Sequence, residues 1–269
     1  MMNELQKCQL HILCEYIKIC EKLGLRYFMV CGSCLGAVKY HGFIPWDDDV
    51  DVAMLRGDYE TFLTEAPKLL PEYLFLQNYK SDPEVPFLYS KLRDSRTTMI
   101  EKSVSKLHIH HGVYIDVFPL DGYPDKNAER FERKKLMYGL QNLCAYENDV
   151  KRKTRWFLKA ERALGFHRRT VKTNQKRDRL LTAYPPEQSK LWCNFGNWQG
   201  KLEYAPREQY GEGTDMLFEG ITVRVPQQYD AYLTQKYGDW RADLTEEEKQ
   251  SHHNVILCDL EKPYTMFRD

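Results

Sequence analysis

The stretch CGSCLGAVKYHGFIPWDDDVDVAM, residues 31–54, decides how the rest of the chain is read. It sets Gly32-Ser33 at the end of an apolar run and, after a loop, brings Asp49-Val50-Asp51-Val52, in which carboxylates and apolar side chains alternate. Successive side chains of a β-strand point to opposite faces, so Asp49 and Asp51 are expected on one face, aimed at one point. Convergent carboxylates suit Mg2+ or Mn2+, hard cations that take oxygen ligands and accept phosphate oxygens as the remainder. The implied chemistry is transfer at phosphorus.

An acidic run by itself is about as often a solvated loop face. Here Val50, Val52 and Met54 supply apolar neighbours that a solvated loop would lack. Gly32 offers backbone with no Cβ to obstruct a phosphate, and Ser33 adds a hydroxyl and an N–H. Together these residues resemble the Gly-Ser…Asp-x-Asp signature of the nucleotidyltransferase fold. Cys31-Gly-Ser-Cys34 also has the spacing of a redox pair and a likeness to papain-type proteases. Leu35 stands where the protease pattern wants an aromatic residue, and no thioredoxin pattern surrounds the pair.

The flanks support a layered α/β core. Apolar residues from Leu5 to Leu23 recur at helical spacing and Gly24 is a suitable stop, which predicts a leading amphipathic helix. Leu25 to Val30 reads as a strand, Ser33 to Tyr40 as a short helix with its N-terminus toward the phosphate site, Val50 to Met54 as a strand, and Tyr59 to Leu70 as a helix. Val113 to Phe118 is a further strand, in which Asp116 stands alone among β-formers. Such an aspartate can be a salt-bridged structural residue. Beside Asp49 and Asp51 it is expected to complete the acidic set and to orient or deprotonate an attacking hydroxyl. Lys91 and Arg93 alternate onto one face of Tyr89–Ser95, where they could clamp a diphosphate or line a solvated edge.

Composition sets the bounds. With 269 residues, 42% of them hydrophobic, the chain can bury one substantial core with a smaller subdomain. A formal net charge of zero argues against a general nucleic-acid binder. No apolar run approaches the roughly 20 residues that span a bilayer, and no signal-peptide pattern opens the chain, so a cytoplasmic protein with reduced cysteines is expected. Residues 151–179 carry twelve Lys or Arg against Glu161 and Asp178, with Trp156, Phe157, Leu158, Leu164 and Phe166 interspersed. That pattern fits either a solvated basic helical insertion or an amphipathic surface for anionic membrane. His108, His110 and His111 lack cysteines at finger-like spacing and read as a surface or pocket edge.

The run from Gly32 to Met54, followed by SKLRDS, YIDVFPLDG, YGDW and EEKQSHH, resembles the LicD family of phosphocholine transferases, related to the fukutin-type ribitol-phosphate transferases. The likeness covers roughly residues 5–125 and 200–255. It implies an α/β, nucleotidyltransferase-like mixed sheet flanked by helices, with a catalytic core over 1–125, a basic helical insertion over 126–190, and a C-terminal portion over 191–269 that completes the acceptor side. It implies metal binding and catalysis by Asp49, Asp51 and Asp116, with Mg2+ or Mn2+, and a donor-phosphate cradle of Gly32, Ser33, Lys39, Lys91 and Arg93. Trp46, Asp48, His252 and His253 would contact acceptor or phosphate.

The implied reaction moves phosphocholine from CDP-choline to a hydroxyl of a cell-surface glycan, such as a lipopolysaccharide, capsule or teichoic-acid precursor, and releases CMP. The glycan could be lipid-linked, which makes peripheral contact with the inner membrane face through 151–179 sensible. Choline would call for aromatic walls, for which Tyr40, Trp46, Tyr114, Trp198, Tyr210 and Trp240 are candidates. Ribitol or glycerol phosphate from a CDP donor, nucleotidyl transfer from a triphosphate, and a non-catalytic glycan-binding module stay open as alternatives. Two departures from the family pattern fall on the acceptor side. Arg241–Thr245 stands where prolines are common, and Lys39 where arginine is common.

Overall fold

A computed structural model describes residues 2–142, 170–196, 200–243, 245, 249 and 254–267. Helix α1 (Glu4–Leu23) leads in, closed at its start by a reciprocal Asn3–Gln6 capping box and at its end by Gly24 in the left-handed region at φ 64°. Strand β1 (Tyr27–Met29) runs into the short helix α2 (Cys31–Leu35), which continues as a π-turn over Gly36–Tyr40. The helix therefore opens two residues earlier than the sequence suggested, and Gly32 and Ser33 lie within its first turn. Strand β2 (Asp51–Leu55) follows an irregular loop and feeds α3 (Arg56–Glu65).

Strands β3 (Leu74–Gln77), β4 (Ser90–Asp94), β5 (Thr98–Glu101) and β6 (Val113–Gly122) come next, then α4 (Ala128–Asn142) and α5 (Thr170–Leu181). The chain ends through β7 (Leu191–Asn194), β8 (Tyr204–Pro206), the hairpin β9 (Thr214–Phe218) and β10 (Ile221–Val225), helix α6 (Tyr229–Tyr237), and β11 (Val255–Asp259). Seven strands form one mixed sheet in the order β1-β2-β6-β4-β3, with β7 and then β8 continuing from β6. β2 and β6 are its parallel pair; β1, β4 and β7 join antiparallel. Helices flank this mixed sheet, the α/β arrangement the sequence implied.

Every residue of β6 is buried, which is why its ten-residue run is almost wholly apolar and why its two aspartates need partners. Asp121 receives a two-pronged hydrogen bond from Arg56, at 2.7 and 2.6 Å, and is 0% exposed. Arg56 also donates to Asp178 of α5 at 3.3 Å and to Glu60 at 3.2 Å, and Asp178 accepts from the Tyr79 hydroxyl. This network ties the helical segment after β6 to the core, while Phe131 of α4 and Leu181 of α5 join a second apolar cluster with Tyr79, Val85 and Phe87. Among the described residues no helix is long and apolar enough to cross a membrane. The basic residues 151–169 lie outside the described part, as does Trp198.

Replacing Arg56 with Met would leave the Asp121 charge buried and unpaired. Urea unfolding is expected to show a loss of about 3–5 kcal/mol, the cost of breaking a buried ion pair from one side.

Candidate active site

The strand pairing brings the acidic residues together. Asp51 opens β2 and lies in register with Asp116 on the parallel neighbour β6, which places both on one face of the sheet. Asp51 is 7% exposed and Asp116 5%. Lys91, on the other side of β6, is the antiparallel register partner of Asp116. Its ammonium stands 3.0 Å from Asp116 Oδ1 and 3.6 Å from Glu101 Oε2, and lies over the Tyr114 ring. Burial pushes the Asp116 carboxyl up to about 6; Lys91 opposes that shift, and Glu101 and Asp49 add to it.

Asp49 reaches the site by a different route from the one its spacing suggested. Regular strand begins at Asp51, so Asp49 belongs to the preceding loop, where its carboxylate gathers with those of Asp47 and Asp48, ligand atoms within 4.8 Å of one another. The loop is held to the sheet by the Asp116 N–H, which donates to the Val50 carbonyl at 2.8 Å. Asp49 raises both Asp116 and Tyr114 electrostatically, so its charge lies in the neighbourhood of the β6 carboxylate.

Ser33 fixes the other end of this geometry. Its hydroxyl oxygen accepts from the buried Asp51 N–H at 2.8 Å, and the Val30 N–H donates to the Asp51 carbonyl at 3.0 Å. Gly32 makes room for the acidic loop: a Cβ there would stand 2.7 Å from Asp47 Oδ2 and displace that carboxylate. Cys31 makes the sharp turn between β1 and α2 at φ 52°, a backbone region costly for a non-glycine residue, and its N–H donates to the Tyr232 hydroxyl at 3.1 Å. These contacts tie the Gly-Ser turn to the acidic residues through two backbone bonds and one close approach.

Arg93 is fully buried, donating to Gln77 and, at 2.7 Å, to the Gly112 carbonyl, with its guanidinium over Tyr114. Burial lowers its pKa. Lys39 donates to the carbonyls of Trp240, Arg241 and Ala242, at 3.4, 3.1 and 2.7 Å. Trp46 is partly exposed, edge-on to Tyr40 at 6.2 Å, with the Lys249 ammonium 5.6 Å from its ring centre. Tyr210 is packed into the core, and Trp240 donates its indole N–H to Asp230. His110 is buried against Phe75 and Tyr264 rather than at a surface edge. His252 and His253 lie outside the described residues.

Four neighbours escaped the sequence reading. Asp47 was overshadowed by the Asp-x-Asp pair. Glu101, on β5 with β11 as its partner, had no motif around it. Tyr237 opens the YGDW motif; it is 38% exposed, and its phenol is raised by partial burial and by the charges of Cys31, Asp51, Glu203 and Asp47. Lys236, the residue before it, forms a buried ion pair with Glu203.

Among the described residues, the carboxylates of Asp47, Asp48 and Asp49 lie close enough together to share a metal ion, and Asp51 and Asp116 are not members of that group. Asp116 Oδ1 is buried and accepts no well-aligned hydrogen bond among the described residues, although the Lys91 charge is close. Such an oxygen can take a cation as a further partner.

Comparison with known proteins defines the class. Residues 24–151 match the family model described as LicD/FKTN/FKRP, nucleotidyltransferase domain. The chain is similar to proteins of the LicD family. It is 28% identical over 269 aligned residues, 94% of this chain and 96% of the other, to the lipopolysaccharide cholinephosphotransferase LicD of Haemophilus influenzae. An uncharacterized Rickettsia prowazekii protein is 26% identical over 125 residues, 45% of this chain and 43% of that one.

Proposed function

We propose that this chain is a LicD-like phosphotransferase that moves phosphocholine from CDP-choline to a hydroxyl of a lipopolysaccharide or related cell-surface glycan and releases CMP. One observation carries the reading: Asp51 and Asp116 are buried in register on adjacent strands beside the acidic loop, with Lys91 as the counter-charge of Asp116. The end-to-end similarity to a lipopolysaccharide cholinephosphotransferase supports the choice of donor and acceptor.

Asp49, Asp51 and Asp116 would hold Mg2+ or Mn2+, which when bound supplies neutralisation of the charge on the donor diphosphate. The acceptor hydroxyl forms a bond to the β-phosphorus as the bond to the bridging oxygen breaks, and CMP leaves with that oxygen. Asp116, with its carboxyl raised to about 6, takes the hydroxyl proton. Gly32 and Ser33 place backbone N–H groups of α2 beside the diphosphate. Lys91 is a counter-charge that keeps Asp116 tolerable while buried, and Arg93 holds β4 against Gln77 and Gly112. Trp46, which directly precedes the acidic loop residues, and Tyr40 form a half-buried aromatic corner and are our choice for the choline wall. A ribitol or glycerol donor would leave that corner without a role.

CMP release from CDP-choline, CDP-ribitol and CDP-glycerol, compared in Mg2+ and in EDTA, tests the reaction. We expect Mg2+-dependent release from CDP-choline, and a fall of about 100-fold or more in Asp51→Asn, the size of a loss of several kcal/mol of charge stabilisation. Release from another CDP donor alone would reassign the substrate, and pyrophosphate from a triphosphate would reassign the reaction. Protonation of Asp116 removes a ligand and a base together. The Mg2+ concentration needed for half the maximal rate is therefore expected to rise as pH drops through about 6, where Asp116 without a bound cation takes up its proton, in a pH profile limited to conditions where circular dichroism shows folded protein.

We also place the protein at the cytoplasmic membrane face. The exposed residues of α4 include Arg130, Arg133 and Lys134 beside Leu136 and Met137, and those of α5 include Lys172, Lys176 and Arg179. Such a surface is complementary to anionic lipid. Flotation with phosphatidylglycerol vesicles should decrease when these six cations are changed to Gln; equal flotation would remove the membrane assignment.

A further inference from the structure

The acidic loop is gripped from outside the matched domain. Helix α1 ends at Leu23, and the family match begins at residue 24. The buried stripe of α1 runs through positions 6, 9, 13, 16 and 20, alternating steps of three and four, yet its first two members are glutamines. Gln6 is 2% exposed and Gln9 0%. Burying an amide in place of a leucine is unfavourable unless its hydrogen bonds are made.

Those bonds go to the acidic loop. Gln6 Nε2 donates to the carbonyls of Asp47 at 3.1 Å and Ile44 at 3.4 Å, while its Oε1 accepts from the Asn3 N–H. Gln9 Nε2 donates to the Asp48 carbonyl at 2.7 Å and, at 3.5 Å, to that of Tyr114, two residues before Asp116 on β6. One amide group thus bridges the two chain segments that supply the carboxylates. Gln9 Oε1 is buried and finds no donor among the described residues. The fold tolerates an orphaned acceptor at the point where the donor half of the same amide meets the loop, although an apolar residue there would spare that cost.

We infer that Gln6 and Gln9 are positioning residues that hold the backbone of Asp47 and Asp48 against β6 and thereby set the carboxylate spacing for the divalent cation. The inference rests on the reading above that Asp49, which follows these two residues, and Asp116 bind one. Neither side chain is expected to touch metal or substrate; both act through carbonyls of neighbouring residues, Gln6 through Asp47, and Gln9 through Asp48 before Asp49 and Tyr114 before Asp116. Irregular backbone needs such partners, because the loop between the π-turn and β2 has few ladder bonds of its own.

Mn2+ binding to the purified protein, followed by electron paramagnetic resonance, tests this together with hydrogen exchange of the metal-free protein. Gln9→Met keeps the volume and removes the amide; Gln6→Met does the same one turn away. Gly24→Ala strains the C-terminal cap of the same helix, at φ 64°, away from both glutamines, and controls for general destabilisation. The expected result is Mn2+ affinity reduced about 10-fold or more in Gln9→Met, as for loss of an outer-shell partner, with faster exchange confined to the 44–51 region. Gly24→Ala should bind Mn2+ like the wild type. Wild-type affinity in both Gln variants, or an equal loss in Gly24→Ala, would overturn the inference and leave the metal reading intact. No Mn2+ binding by the wild type would overturn both.

Discussion

Two carboxylates placed side by side in the interior of a sheet repel each other and lose their hydration, and the structure is arranged around making that arrangement tolerable. Asp51 and Asp116 occupy register positions on adjacent parallel strands where apolar side chains would be the stable choice. The compensation comes from the opposite flank of β6, where Lys91 stands in register with Asp116 and shares its charge with Glu101. Glu101 in turn depends on the β5–β11 pair, which brings the end of the chain back beside the middle of it. A charge at the centre of the sheet thus couples elements separated by most of the sequence.

The loop before β2 poses the complementary problem, since it must be irregular enough to gather Asp47, Asp48 and Asp49 and yet hold one shape. It is braced on both sides. From the N-terminal helix come the Gln6 and Gln9 amides. From the β9–β10 hairpin comes Glu219, whose carboxylate accepts from the Phe43 N–H at 3.1 Å and whose own N–H donates to the His41 carbonyl at 2.9 Å. Gly42 fits because a Cβ there would run into the Glu219 carboxylate. Side chains outside the motif therefore fix the motif's backbone.

The two departures from the family pattern meet in space. Lys39 donates to the carbonyls of Trp240, Arg241 and Ala242, the start of the segment that lacks the usual prolines. A turn without proline has more conformations open to it, and a lysine with three donors can hold successive carbonyls where they would otherwise face solvent. The pairing is local compensation, placed just after the end of α6.

The sequence by itself determined the mixed α/β core, the leading helix with its Gly24 stop, and the placement of Asp51 and Asp116 on strands, because period-two and period-3.6 patterns and misplaced charges are local signals. The spacing of Asp49 and Asp51 suggested a shared strand face, but strand pairing starts only at Asp51, so the loop and its braces decide where Asp49 stands. Only the tertiary structure decided the partners: Lys91 and Glu101 for Asp116, Lys39 for the C-terminal turn, Arg56 for Asp121, and Gln6 and Gln9 for the loop carbonyls. The two glutamines did leave a trace, as polar residues in an otherwise apolar helical stripe. What they bond to could not be read there, because a hydrogen bond between residues about forty positions apart exists only once packing has brought an amide and a carbonyl within 3 Å of each other.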